Sequence, residues 1–217
     1  MADSTDGLIQ AQAVPGPWAR RWRWLNVPRA LADAASILAF VAAILATNYA
    51  LASFPNVKLF DLMVFLAGYI LGFRRGAAVA VVAWLVYGNF NPYGPTTAPL
   101  LATVMAAETV YAVAGALIRR LVAPGSVRLL PSRSSLLFAV VAVASTLAYD
   151  VAANVYTGIS WAMFAGSTDY SRWIATALFN PGALFFAAAH LSSNALFFAA
   201  FAPLLIKGTE KLRKGSA

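Results

Sequence analysis

Cysteine is absent from this sequence and histidine occurs once. The first absence excludes disulfides, thiolate metal sites and a cysteine nucleophile; the second excludes a multi-histidine metal centre. Charge is scarce as well: Asp, Glu, Lys and Arg make up 11% of the 217 residues, against roughly 25% in an average soluble domain. With 61% of the residues apolar, neither a disordered chain nor an ordinary water-soluble fold fits. No Gly-x-x-x-x-Gly-Lys phosphate loop occurs, so ATP hydrolysis through that motif is excluded. The spacing of His190 and Asn194 is similar to that in intramembrane rhomboid proteases. Hydrolysis of that kind fails on inventory, because Gly158-Ile159-Ser160-Trp161 lacks the second glycine of a Gly-x-Ser-Gly turn and no other histidine is left as base. No catalytic residue, cofactor or metal is implied.

What is present is a series of long apolar runs. A bilayer core about 30 Å thick takes about 20 helical residues per crossing. Apolar stretches fall at Ala30 to Ala52, Val57 to Phe73, Gly76 to Gly88, Ala98 to Ile118, Ser135 to Thr157 and Gly182 to Ile206, six in all. The expected fold is therefore an all-α integral membrane protein, a six-transmembrane-helix bundle over residues 30–206. Residues 1–29 form a basic segment in which Trp18, Trp22 and Trp24 alternate with arginines, an uncleaved interfacial anchor. Residues 207–217 form a basic tail. The net charge of +8 does not point to nucleic acid, because the cations sit in the connections. With the N-terminus in the cytoplasm, 14 of the 16 Lys and Arg fall inside and only Lys58 and Arg172 outside. That asymmetry predicts an even number of spans with both termini cytoplasmic.

The stretch Gly76 to Gly88, 13 residues, reads as a short helix. It is followed by Asn89 to Pro99, whose three prolines and one glycine break any regular helix. Irregular backbone at membrane depth needs protein or a water-filled cavity around it, which predicts an outward-facing hollow beside Asn89 and Asn91. The alternative is a loop lying wholly above a thinned bilayer. The segment Gly158 to Asn180, with Trp161, Asp169, Arg172 and Trp173, reads as a partly helical cap over that hollow or as a loop with interfacial anchors. Pro181 suits the start of a last helix.

Ionisable groups at bilayer depth are costly and mark functional candidates. Asp33 reads as an interfacial ion pair with Arg29, and Asp61 as a local pair with Lys58 or a rim contact. Glu108 lies mid-span with Tyr111 at i+3. Thr146, Asp150, Asn154 and Thr157 form one stripe, and His190, Ser193 and Asn194 another. Three spans thus aim polar groups at the outer half of the bundle. They form either a solvated pocket for a polar small molecule, walled by Tyr149, Tyr156 and Trp161, or a set of interhelical hydrogen bonds. Ala35, Ala39 and Ala43 make a small-residue ridge that lets another helix approach closely.

Several local patterns together resemble the substrate-binding S components of energy-coupling factor (ECF) vitamin transporters. They are Pro55-Asn56-Val57 leading into Asp61, Leu66-Ala67-Gly68-Tyr69 through Gly72 and Gly76, and Asn91-Pro92-Tyr93-Gly94. Glu108 to Gly115, Tyr149-Asp150 with Asn154, and His190 to Asn194 with Phe197 follow in order. The resemblance implies a six-helix protein of a prokaryotic cell membrane that binds a micronutrient near its outer face under the loops after spans one, three and five. It also implies docking through the Ala35, Ala39 and Ala43 ridge onto a transmembrane T component driven by two ATPase subunits, the S component toppling to release its cargo inward. The expected substrate contacts are Glu108, Tyr111, Asp150, Asn154, His190, Asn194, Asn89, Asn91 and Trp161. No thiamine, riboflavin, biotin or folate pocket pattern is recognisable. A solitary ion-coupled carrier or channel, and a membrane enzyme of unrecognised type, are the alternatives.

Overall fold

The computed structural model describes residues 28–215, and these contain seven α-helices, one 3-10 turn and no strand. The basic, tryptophan-rich stretch up to residue 27 lies outside the described residues. The helices are α1 (Arg29–Ala50), α2 (Phe60–Leu71), α3 (Phe73–Phe90), α4 (Ala98–Leu121), α5 (Arg133–Phe164), α6 (Tyr170–Phe179) and α7 (Pro181–Gly215). Among them α1, α4, α5 and α7 are long and apolar enough to cross a membrane. α2 is apolar but has only 12 residues, and α3 opens on Arg74 and Arg75.

Large apolar side chains cover much of the exterior, and polar groups are buried beside an apolar core. Leu38, Leu117, Leu136, Leu184 and Leu196 project outward, while Asp61, Glu108, Thr146, His190 and Asn194 are fully buried. A hydrocarbon surround rewards that arrangement, since lipid solvates leucine and leaves polar groups only one another. The apolar part of the core is centred on Phe65 of α2, whose ring lies 5.1 Å from Phe198 and 5.8 Å from Phe138, centroid to centroid. α2 packs on α4 without side chains between them at Gly115, where a Cβ would sit 2.0 Å from the Phe65 carbonyl oxygen.

Three local expectations are corrected. The helix read as Gly76 to Gly88 is 18 residues long, starting at Phe73 directly after Gly72, which turns the chain at a φ of 89°. Asp33 does not pair with Arg29; its Oδ2 lies 2.6 Å from Arg75 Nη2, so a cross-helix pair joins the starts of α1 and α3. The segment after Gly158 is no cap over the hollow. α5 continues to Phe164, and α6 folds back against it, with the backbone of Ile174 only 2.5 Å from where a Gly158 Cβ would be. Asp169 caps α6 by accepting from the Arg172 N–H at 3.1 Å, and the Arg172 N–H and Ser171 hydroxyl hold its carboxyl below the usual aspartate range. α7 begins at Pro181, where the Asn180 side chain accepts from the Ala183 N–H at 2.9 Å.

Candidate functional site

A cavity of about 420 Å³ opens at the end of the bundle where α1 and α3 finish and α4 begins. The α1–α2 connection reaches it first, because Asn56 takes a left-handed φ of 56° and donates from Nδ2 to the Phe186 carbonyl of α7 at 3.0 Å. From the opposite side, the Tyr93 hydroxyl donates to the Ala52 carbonyl and the Tyr49 hydroxyl donates to the Phe90 carbonyl at 2.9 Å. Asn91 organises the proline-rich loop: its Oδ1 accepts from the Tyr93 N–H at 2.9 Å and its Nδ2 donates to the Gly94 carbonyl at 2.8 Å. Aromatic rings of Phe54, Trp84, Tyr87, Tyr93, Tyr149 and Phe186 form part of the wall. The polar lining comes from Asn48, Asn56, Lys58, Asn91, Thr96, Asp150 and Asn154.

Beneath the cavity lies a closed polar network. His190 is fully buried between two carboxylates, with Nδ1 2.8 Å from Asp150 Oδ1 and Nε2 2.6 Å from Asp61 Oδ2. Asn194, one turn further along α7, donates from Nδ2 to Asp61 Oδ2 at 2.6 Å and to Thr146 Oγ1 at 2.9 Å. The Tyr111 hydroxyl also donates to Thr146 Oγ1, at 2.9 Å. Glu108 accepts from the Trp84 indole N–H at 3.2 Å through Oε2. Its Oε1 and Asp61 Oδ1 have no amide or hydroxyl donor. Lys58 Nζ, 3.5 Å from Asp61 Oδ1, rests 4.9 Å above the Tyr149 ring and 5.7 Å from that of Trp84. An ammonium over aromatic faces and beside a carboxylate is a stable arrangement out of water.

The expected contacts therefore divide. Asp150, Asn154 and Asn91 line the cavity. Glu108, Tyr111, His190 and Asn194 are brought together, but as its buried foundation. Asn89 and Trp161 are not among the lining residues: Asn89 is exposed and donates to the Leu85 carbonyl of its own helix, and Trp161 is 41% exposed. Tyr149 walls the cavity and Tyr156 does not. Asp61 is the centre of the network rather than a rim contact, and Lys58, Asn48, Trp84 and Tyr87 were not anticipated as lining. For Asn48 a signal existed, since it continues the inward-facing series Val41, Ile44, Asn48 at spacings of three and four. Among Ala35, Ala39 and Ala43, the first two are exposed and the third half-buried.

No family model matches the chain, and neither does any curated protein or solved structure.

Proposed function

We propose that this protein is the membrane-embedded, substrate-binding S component of an ECF-type importer, a binding and translocation subunit powered by ATPases it does not itself contain. The observation that carries the reading is the polar and aromatic cavity at the Lys58 end of the bundle, away from Arg75 and Arg119. Its size falls in the ordinary range for small-molecule sites. In this reading six helices cross the cell membrane of a prokaryote, α2 and α3 included, with both termini in the cytoplasm. The basic clusters then face inward and the cavity faces out. A small polar, vitamin-like molecule is captured there and released inward once a T component has docked on the alanine ridge of α1, which is free of internal packing at Ala35 and Ala39.

A second reading, an ion-coupled carrier working alone, is favoured by one feature. His190 bridges two carboxylates, and such chains serve as proton relays in membrane transporters. One purification separates the two. Tagged protein extracted gently from its native membrane is expected to bring a transmembrane partner and ATPase subunits. On denaturation it is expected to release a small molecule identifiable by mass spectrometry, and Asp150→Ala is expected to lower that yield about tenfold or more, the cost of one lost charged hydrogen bond. Recovery of the chain alone, with ligand retained, selects the carrier; no released molecule from either form counts against both.

A further inference from the structure

The chemistry of the ligand can be narrowed from the cavity itself, on the reading that it is a ligand site. Charge is balanced within it. Both ring nitrogens of His190 stand at hydrogen-bond distance from carboxylate oxygens, 2.8 and 2.6 Å. Each interface holds one proton, so His190, Asp61 and Asp150 together carry a single net negative charge. Glu108 accepts from the Trp84 indole N–H and does not line the cavity. Lys58 supplies the balancing cation. Of the charged side chains only Lys58 and Asp150 line the cavity, one of each sign, and an additional charge brought in by a ligand finds no counter-ion.

Hydrogen-bonding capacity is not balanced. Asp150 and Asn48 both line the cavity, and Asp150 Oδ2 and Asn48 Oδ1 are buried with no donor in reach. Buried acceptors left unpaired are costly, and a ligand that brings donors recovers that cost. The neighbouring rings of Trp84, Tyr87 and Tyr149 offer flat faces. We propose that the cavity selects an uncharged, planar heterocycle carrying an exocyclic amino or carboxamide group, whose N–H donors are taken by Asp150 and Asn48 while the ring lies among the aromatic side chains.

Four probes of one size test this by titration calorimetry on the purified full chain in lipid nanodiscs: nicotinamide (uncharged, two donors), 3-acetylpyridine (uncharged, no donor), nicotinate (anionic) and 1-methylnicotinamide (cationic). Nicotinamide is expected to bind about tenfold or more tighter than each of the others. Asn48→Asp, which adds a negative charge to the balanced wall, is expected to shift the preference toward 1-methylnicotinamide. Equal or tighter binding of 3-acetylpyridine or of either charged probe to the unmodified protein overturns the inference and leaves a ligand site standing. Silence from all four at about 10 mM also overturns it; the ligand-site reading itself falls only if the natively purified protein releases no small molecule.

Discussion

His190 shows how much of this molecule depends on single polar side chains. Its two ring nitrogens stand at hydrogen-bond distance from two carboxylates, Asp61 on α2 and Asp150 on α5, and no other side chain of the network reaches Asp150 Oδ1. His190→Phe keeps a planar ring but takes a polar partner from each acid, with an expected loss of about 3–5 kcal/mol, read as a lowered midpoint of thermal unfolding in detergent. The Asp33–Arg75 pair is about a third exposed on both sides, so Asp33→Asn is expected to cost no more than about 1 kcal/mol. Nearly equal effects of the two substitutions would mean that the buried network is not what holds α2, α5 and α7 in register. The polar character of Asp150 and His190 was readable from stripes on apolar helices. The network role of Asp61 was not, because Lys58 at i+3 offered a sufficient local partner, a pair the structure contains, while its second partner lies 129 residues away.

The helices obey their own periodicity, but their ends and contacts answer to neighbours. α3 begins three residues earlier than its apolar run, at the turn made by Gly72, and there Arg75 meets Asp33 on α1. α5 runs through Gly158, which reads as a helix break, because glycine is what admits the backbone of α6 at Ile174. The α2–α4 contact is the tightest test of this dependence. Gly115→Ala would place a methyl group 2.0 Å from the Phe65 carbonyl oxygen, a backbone atom that cannot swing aside. It is expected to destabilise the fold by about 1–3 kcal/mol, whereas alanine at Gly208, where nothing lies within 4 Å of the added carbon, is expected to be neutral or slightly stabilising. Thermal unfolding of the two variants side by side checks the contrast.

The orientation of the bundle as a body follows from charge. Arg75, Arg119 and Lys211 belong to one end and the cavity to the other; on the proposed six-span reading the positive-inside bias puts the cavity on the outer side. The absence of native cysteine makes this directly measurable with single cysteines at two exposed positions, Thr97 beside the cavity and Ser126 in the turn after α4. In intact cells a membrane-impermeant maleimide is expected to label Thr97→Cys, and Ser126→Cys only after permeabilisation. The reverse pattern would invert the direction of transport, and labelling of both from outside would refute the six-span topology.

Helical class, apolar exterior and the identity of the helices that carry polar groups are consequences of composition and spacing along the chain, and these are local properties that a linear reading captures. The division of those polar groups into a cavity lining and a buried foundation is not local. It depends on how far each helix is rotated about its axis and how closely the backbones approach, as at Gly115. Contacts spanning 129 residues between His190 and Asp61, or 133 between Asn194 and Asp61, come into being only when α2, α4, α5 and α7 pack together, because a buried charge must find its partner wherever packing brings one.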